Sequence, residues 1–501
     1  MSMRDLLPLL PAGVLVVFGL LLLLYEVFSN QGEQRRYSAH LGVLGFAIAI
    51  VVVVVQLQDP TARLFGSSSE SASLVVDVFA RVAFILLMMA GLVACLLSPA
   101  YAKNAGHSLG EYYGLLMFSV AGMMVMVSAA DLATFFVGLE TMSVAVYALT
   151  ALRRRDVRST EAALKYFLMG AFATAFFLFG LALVFGTVGS LHLTHLAEAL
   201  RSGASLLRQP LLHVGLLLVL IGFAFKVAAF PFHMWAPDAY EGAPTPVTGF
   251  MAVAVKTAAF VSLLRLIVVG FGGAMSSQAG DSNWTVLLSV LAISTILVGN
   301  VVALTQRSIK RMLAYSSVAH SGYIFIGLTA AADGEASAGA GVLFYLAAYT
   351  AMTMGAFGVL AYLERREGGR DAERFGAYAG IGFRHPVASA LMALFMVSLA
   401  GLPPTGGFFG KLFVFSAALR AGHPGLVLIG VLGSVIGVYY YLRVIVAFYM
   451  RDIPEPGPTP SATPSPELGL GLLIAAALVV VLGVAPGPLI ELGRAAIASL
   501  G

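Results

Sequence analysis

Two lysines set inside apolar runs, on either side of a proline-punctuated break, constrain this chain more than any other feature. The stretch from Ile221 to Phe260 reads IGFAFKVAAFPFHMWAPDAYEGAPTPVTGFMAVAVKTAAF, with Lys226 and Lys256 deep in apolar sequence and Pro231, Pro237, Pro244 and Pro246 between them. A lysine at the centre of a membrane helix costs roughly 2.5 to 3.5 kcal/mol on insertion scales, and irregular backbone is tolerated at that depth only where protein or water covers it. The stretch is therefore expected to line an ion path rather than to face lipid.

Composition fixes the surroundings of that path. Of 501 residues, 59% are hydrophobic and 11% charged, against about 25% charged in soluble globular chains. The chain is thus expected to be a polytopic membrane protein. Its single cysteine, Cys95, rules out a disulfide within the chain and leaves thiolate-held zinc or iron–sulfur sites without ligands. The net charge of +4 is small and its basic residues are scattered between helices, which argues against a nucleic-acid partner. The first apolar run, Leu6 to Phe28, is too long for a signal peptide and reads as the first membrane helix.

Apolar runs of membrane-spanning length predict an all-α fold of about fourteen helices. They lie near 5–28, 40–58, 74–99, 111–128, 130–151, 161–187, 210–230, 244–270, 285–304, 311–330, 340–363, 386–421, 424–450 and 468–491. The 386–421 run is too long for one straight helix and must break at Pro403-Pro404, where two amide donors are lost. Basic residues concentrate in alternate loops, for example Arg153, Arg154, Arg155, Arg158, Arg307, Lys310, Arg311 and Arg365. That asymmetry places both termini on the non-cytoplasmic side. Gly66 to Ser73 reads as a solvated loop, Ser190 to Gln209 as a short interfacial helix, and Pro454 to Pro466 as a flexible linker.

A few ionisable residues fall within spans, and an intramembrane charge is a functional candidate by default. Glu140, in DLATFFVGLETMSVAVYAL, lies near mid-membrane. At about 7 Å and an effective dielectric of about 20, it would couple to a lysine by about 2.4 kcal/mol, so moving one charge loads or unloads the other's proton. Lys226, Lys256 and Lys411 are candidate proton carriers, with a fixed pair to a carboxylate or a ring of carbonyls as the structural alternative. Lys226 lies close to carbonyls that the Pro231 break would free. Lys411 follows the Pro-Gly break and is no Walker lysine, because Leu412 stands where a hydroxyl residue is needed.

Lys165, His233 and His320 are further candidates. Lys165 either carries protons or snorkels to the membrane surface. The two histidines either relay protons, pack structurally or ligate a haem. Arg265 is expected to fix the local field or to pair with an acid, Asp77 and Arg81 to neutralise one another across one helical turn, and Asp238 and Glu241 to cap amides at the break. A broken span with a lysine near the break occurs twice, at Lys226 with Pro231 and at Pro403-Pro404 with Lys411, which hints at an internal repeat.

The segments GLETMSVAVYAL around Glu140, FKVAAFPFHMWAPDAYEGAPTPVTGFMAVAVK from Phe225 to Lys256, GNVVALTQRSIKRMLAYSSVAHSGY from Gly299 to Tyr323 and LPPTGGFFGKLFVF from Leu402 to Phe415 carry a family resemblance. Over roughly residues 110 to 450 the chain resembles the antiporter-like membrane-subunit family of bacterial NADH-quinone oxidoreductase, respiratory complex I. Lys411, where the M-type subunit carries glutamate, and the absence of a long lateral extension favour the N type. The resemblance implies fourteen helices with two inverted five-helix repeats and discontinuous helices 7 and 12. It divides the chain into helices 1–3 (1–110), repeats at 111–270 and 271–450, a linker at 451–467 and a last helix at 468–501. It implies proton translocation through Glu140, Lys226, Lys256 and Lys411, in a translocase whose NADH, FMN, iron–sulfur clusters and quinone belong to partner subunits, in the bacterial inner membrane. The rival within the same fold is a subunit of a multi-subunit cation/proton antiporter.

Overall fold

A computed structural model describes residues 3–28, 35–66, 71–105, 109–153, 156–202, 209–271, 283–364, 374–451 and 465–500. Most of the 454–466 linker expected from sequence, and part of the 66–73 loop, lie outside them.

Why the chain forms a bundle follows from the apolar runs: backbone groups in a membrane must be paired within their own segment, and helices do that. In order the long helices are α1 (Leu10–Phe28), α2 (Arg35–Val55), α3 (Val78–Ala105), α4 (Leu109–Ser128), α5 (Leu132–Thr150) and α6 (Val157–Val188). A short amphipathic α7 (Leu193–Ser202) follows, within the segment expected to lie at the interface. Next come the broken pair α8 (Pro210–Lys226) and α9 (Trp235–Gly242), then α10 (Thr245–Phe250), a π turn at Met251–Val255, α11 (Lys256–Arg265) and a second π turn at Leu266–Gly270. The second half holds α12 (Asn283–Thr305), α13 (Ile309–Ala332), α14 (Ala338–Leu363), the broken pair α15 (Pro386–Ala400) and α16 (Gly406–Arg420), α17 (Pro424–Tyr449), α18 (Pro466–Val484) and α19 (Gly487–Ala498).

Among the described residues, eleven helical stretches are long and apolar enough to cross a membrane. The two broken pairs and the more polar α13 bring the count to the fourteen positions that the apolar runs predict. Boundaries shift by a few residues at several helices, and two of the shifts have a clear physical cause. The third span begins at Val78, because 74–76 forms strand β2, paired antiparallel with β1 (Ala62–Leu64) in the register Ala62↔Val76. The last span stops at Val484 and the chain restarts as α19 after Pro486, which cannot continue a helix.

Burial sorts the helices into layers. In α14 the most apolar window is 100% buried and in 245–270 it is 89%, whereas α1 reaches only 22% and α6 33%. A helix that is apolar all round belongs at the centre, so the central pair contains Lys256. The rotation of α5 is fixed by backbone contact with α4: a Cβ at Gly122 would lie 2.6 Å from Met142 N, and one at Gly138 2.6 Å from Met126 N. Small residues permit that approach in lipid, where no hydrophobic force holds helices together. Glu140 follows two residues later and is aimed by this contact.

Candidate functional site: a buried line of ammonium groups

The first break starts where α8 ends, at Lys226 itself. The Trp235 indole donates to the Phe225 carbonyl at 3.0 Å and the Phe230 amide donates to Thr295 at 3.1 Å, so groups freed by the interruption are satisfied. Ala228, in the break, holds φ at +55°, a conformation that costs an alanine energy and persists because the surroundings enforce it. Lys226 is 2% exposed, and its ammonium donates to Ser143 Oγ at 2.7 Å and Tyr147 Oη at 3.2 Å, with the Tyr147 ring centroid 5.3 Å away. The freed carbonyls expected as its partners are taken elsewhere; its partners are hydroxyls on α5.

Ser143 and Tyr147 lie one and two turns beyond Glu140 on α5, so the acid and the lysine share one helix stripe. Glu140 is half-buried and accepts a hydrogen bond from Thr174 on α6 at 2.8 Å. Val137 and Val144 beside it are exposed on the outer face of the bundle. Glu140 is thus set at the rim of the buried line rather than in its middle.

Lys256 opens α11 directly after a π turn, a distortion that nothing in the local sequence announces and that π-bulges favour at functional positions. The residue is 1% exposed, and its ammonium donates to the Ser317 carbonyl at 2.7 Å and to Ser321 Oγ at 2.9 Å. Ser321 in turn donates to the Val227 carbonyl at 2.6 Å. Val227 follows Lys226, so a single hydroxyl joins the second lysine to the first break.

One residue before Ser321, His320 continues the line. Its Nδ1 pairs with Tyr345 Oη at 2.7 Å and its Nε2 with Tyr441 Oη at 3.0 Å; Tyr441 also bonds Ser316. It stands within electrostatic reach of both Lys256 and Lys411. With both ring nitrogens engaged by tyrosines, His320 has none to offer a haem iron. His233 lies in the first break, packed between Phe230 and Tyr315, with Nδ1 lacking a protein partner.

Lys411 lies one turn into α16, and here carbonyls do hold the ammonium. It donates to Ala400 O at 2.9 Å, Leu399 O at 3.2 Å and Ser434 Oγ at 2.7 Å, with Tyr323 5.2 Å below it. The two carbonyls are released by the end of α15 before Pro403-Pro404. Gly401 turns the chain there at φ +81°, and a Cβ on it would stand 2.9 Å from Lys411 Cδ and 3.0 Å from Nζ. Among the described residues none of the three lysines has a carboxylate within ion-pair distance, so a fixed carboxylate pair is not what holds them.

The remaining charges sort differently from the sequence expectation. Lys165 sits half-exposed at the bundle end, bonded to Glu161 at 2.7 Å and Asp238 at 3.0 Å. Asp238 and Glu241 do not cap amides: both accept from Arg311 Nη1 at 2.8 Å. Asp77 is claimed by Arg265, at 2.8 and 2.9 Å in a two-pronged pair, while Arg81 donates to the carbonyls of Asp59 and Pro60. The planar fork of an arginine suits a carboxylate better than a neighbour one turn away can.

Sequence reasoning also missed a second buried group, because it lay among residues counted as loop charges. Glu364, at the end of α14, accepts from Arg153 at 2.8 Å, from Lys310 at 3.1 Å and from Thr245. The available signal was Glu364's place directly after an unbroken apolar helix and Lys310's place two residues past the Ser308 N-cap of another.

Among the described residues no three histidine, cysteine or acidic side chains converge as a metal site. Residues 129–437 match the family described as NADH:quinone oxidoreductase/Mrp antiporter, TM. NADH-quinone oxidoreductase subunit N 1 of Sorangium cellulosum is 45% identical, over 95% of this chain and 95% of its own. A chain of respiratory complex I from Thermus thermophilus superposes with a TM-score of 0.78 at 33% identity, covering 96% of this chain and 98% of its own. A chain of the Mrp complex from Dietzia shares the fold, with a TM-score of 0.84 at 21% identity over 100% and 98%.

Proposed function

The chain belongs to the NADH:quinone oxidoreductase/Mrp antiporter family of membrane subunits, as a subunit N of NADH-quinone oxidoreductase, and from that premise we propose that protons cross it along Glu140, Lys226, Lys256, His320 and Lys411. It is a proton-pumping, antiporter-like subunit of the respiratory complex, and the redox cofactors belong to other subunits. Both broken helices carry a lysine at the interruption, which supports reading 111–270 and 271–450 as two repeats. The basic loops at the α5–α6 and α12–α13 ends support a cytoplasmic placement of that end in the inner membrane, with both termini on the other.

The observation that carries the assignment is the position of Ser321, which accepts from Lys256 and donates to the backbone beside Lys226. A carbonyl can only accept a proton's hydrogen bond, so this join is closed as it stands. Rotating the serine hydroxyl, with water at the Val227 carbonyl, opens it. Charge movement at Glu140, a turn from the hydroxyl that holds Lys226, biases that lysine; the next step biases Lys256, and so on to Lys411. Each step need only be comparable to the about 2.3 kcal/mol that one charge gains or loses across 100 mV.

A sodium route is disfavoured by the same geometry. The oxygen clusters that would coordinate sodium are filled by the ammonium groups of Lys256 and Lys411.

The test is a double-mutant cycle in reconstituted complex, reading protons moved per NADH oxidised. Lys226→Met and Glu140→Gln each lose pumping, and the double mutant stays inactive. Recovery in the double mutant would mean that an unpaired charge was the only defect and would sink the relay.

A further inference from the structure

Lys310 is one of the most deeply buried charges in the chain, yet the proton line just described makes no use of it. Its side chain is 2% exposed at the start of α13, and Glu364, 12% exposed, is its partner at 3.1 Å. A buried ion pair is weak evidence of stabilisation, since apolar residues of the same size often hold a fold as well or better. What the pair connects is more informative.

Glu364 Oε1 accepts from Arg153 and Lys310 together, and Oε2 accepts from Thr245. Arg153 follows α5, the helix of Glu140, and also reaches Asp156 at 3.9 Å. Thr245 begins the helical run that carries Lys256 three turns further on. Lys310 lies on the helix whose Ser317 carbonyl holds Lys256, seven residues or about 10.5 Å of helix rise away. One carboxylate therefore serves two cations. When Lys310 gives up its proton, Arg153 still neutralises Glu364, and the arginine cannot itself deprotonate.

The space between this cluster and Lys256 is polar. Tyr240 Oη is 3.4 Å from Ser317 Oγ, and Thr248 donates to the Tyr240 carbonyl at 2.9 Å. The buried hydroxyls of Tyr349 and Thr353, on the helix that ends at Glu364, lie near Ser317 and each other without forming a well-made hydrogen bond. Buried hydroxyls left in that state are where ordered water belongs.

We propose that Lys310 is a proton-carrying residue that loads Lys256 through water held at Tyr349 and Thr353, with Glu364 as its counter-charge and Arg153 neutralising Glu364 while the lysine is uncharged. An Nζ–H bond of Lys310 breaks, the proton passes over the intervening water and hydroxyls, and it bonds to the neutral Lys256 amine. Lys310 is then reprotonated from the solvent at the Glu364 end. This rests on the reading of Lys256 as a proton carrier.

Lys310→Arg keeps the charge and the carboxylate partner but cannot release a proton at working pH. In assembled, reconstituted complex it lowers protons moved per second about tenfold or more. Tyr349→Phe combined with Thr353→Val keeps both side-chain shapes and removes only loose hydroxyl contacts with Ser317 and with each other, so the complex still assembles, yet pumping falls with it. Pumping at the wild-type rate in assembled Lys310→Arg, or in the Tyr349→Phe, Thr353→Val double mutant, overturns the proposal. Lys256→Met in the same preparation separates the two levels: if it fails to pump while Lys310→Arg pumps normally, only the loading role falls, and if both pump normally the underlying line falls as well.

Discussion

Lys226 ends its half-helix with its ammonium 2.7 Å from the hydroxyl of Ser143, a residue one turn along α5 from Glu140. The acid and the lysine thus share one stripe of α5 without a direct ion pair, and the neutral hydroxyl that holds the ammonium gives its own proton to the Leu139 carbonyl. A direct ion pair would hold the proton on the lysine; a hydroxyl holds the ammonium while leaving its charge responsive to Glu140.

Removing that hydroxyl should therefore uncouple the pair without destroying the fold. Ser143→Ala leaves Lys226 with Tyr147 as its hydroxyl partner, and hydrogen bonds to charged groups contribute about 1.5 to 3 kcal/mol. Proton pumping is expected to fall about tenfold, the factor that about 1.4 kcal/mol represents. Ser143→Thr, which restores the hydroxyl, should recover most of it. Equal pumping in Ser143→Ala and wild type, measured with a pH-sensitive dye in proteoliposomes, would show that the contact is incidental.

At the far end of the line the test is a glycine. Gly401→Ala places a methyl group 3.0 Å from Lys411 Nζ and puts an alanine at φ +81°, a strain of about 1 to 3 kcal/mol. The variant should assemble, melt several degrees lower and pump more slowly than Ser398→Ala, a nearby change that leaves the lysine in place. A variant that melts lower yet pumps at the wild-type rate would separate the position of Lys411 from function.

The pair between Asp77 and Arg265 makes the opposite prediction. Both side chains are buried, at 1% and 5% exposure, and Arg265 also donates to the Val127 carbonyl at 3.0 Å. Asp77→Asn strands a guanidinium, a loss of about 3 to 5 kcal/mol. The yield of assembled complex should drop sharply, while pumping per assembled complex stays at wild type. Replacing both partners together, as Asp77→Leu with Arg265→Met, should restore much of the yield. Normal assembly of Asp77→Asn would mean the pair contributes little.

The sequence by itself determined which charges are placed in the membrane. Insertion cost is a property of each span's own composition, so Glu140, Lys226, Lys256 and Lys411 stand out one helix at a time, as do the breaks at Pro231 and Pro403-Pro404. Only the tertiary structure decided whom those charges meet. Arg265 finds Asp77 across 188 residues although Arg81 is one turn from that acid, and Lys310 is turned inward to Glu364 while its sequence neighbour Arg311, of the same charge, is half-buried against Asp238 and Glu241. Lys226 and Lys411, alike beside their breaks, receive only hydroxyls in one case and two carbonyls with one hydroxyl in the other. Partner choice depends on the rotation and depth of helices far apart in the chain. Those are set by contacts such as that of Gly122 with α5, whose geometry no single span encodes.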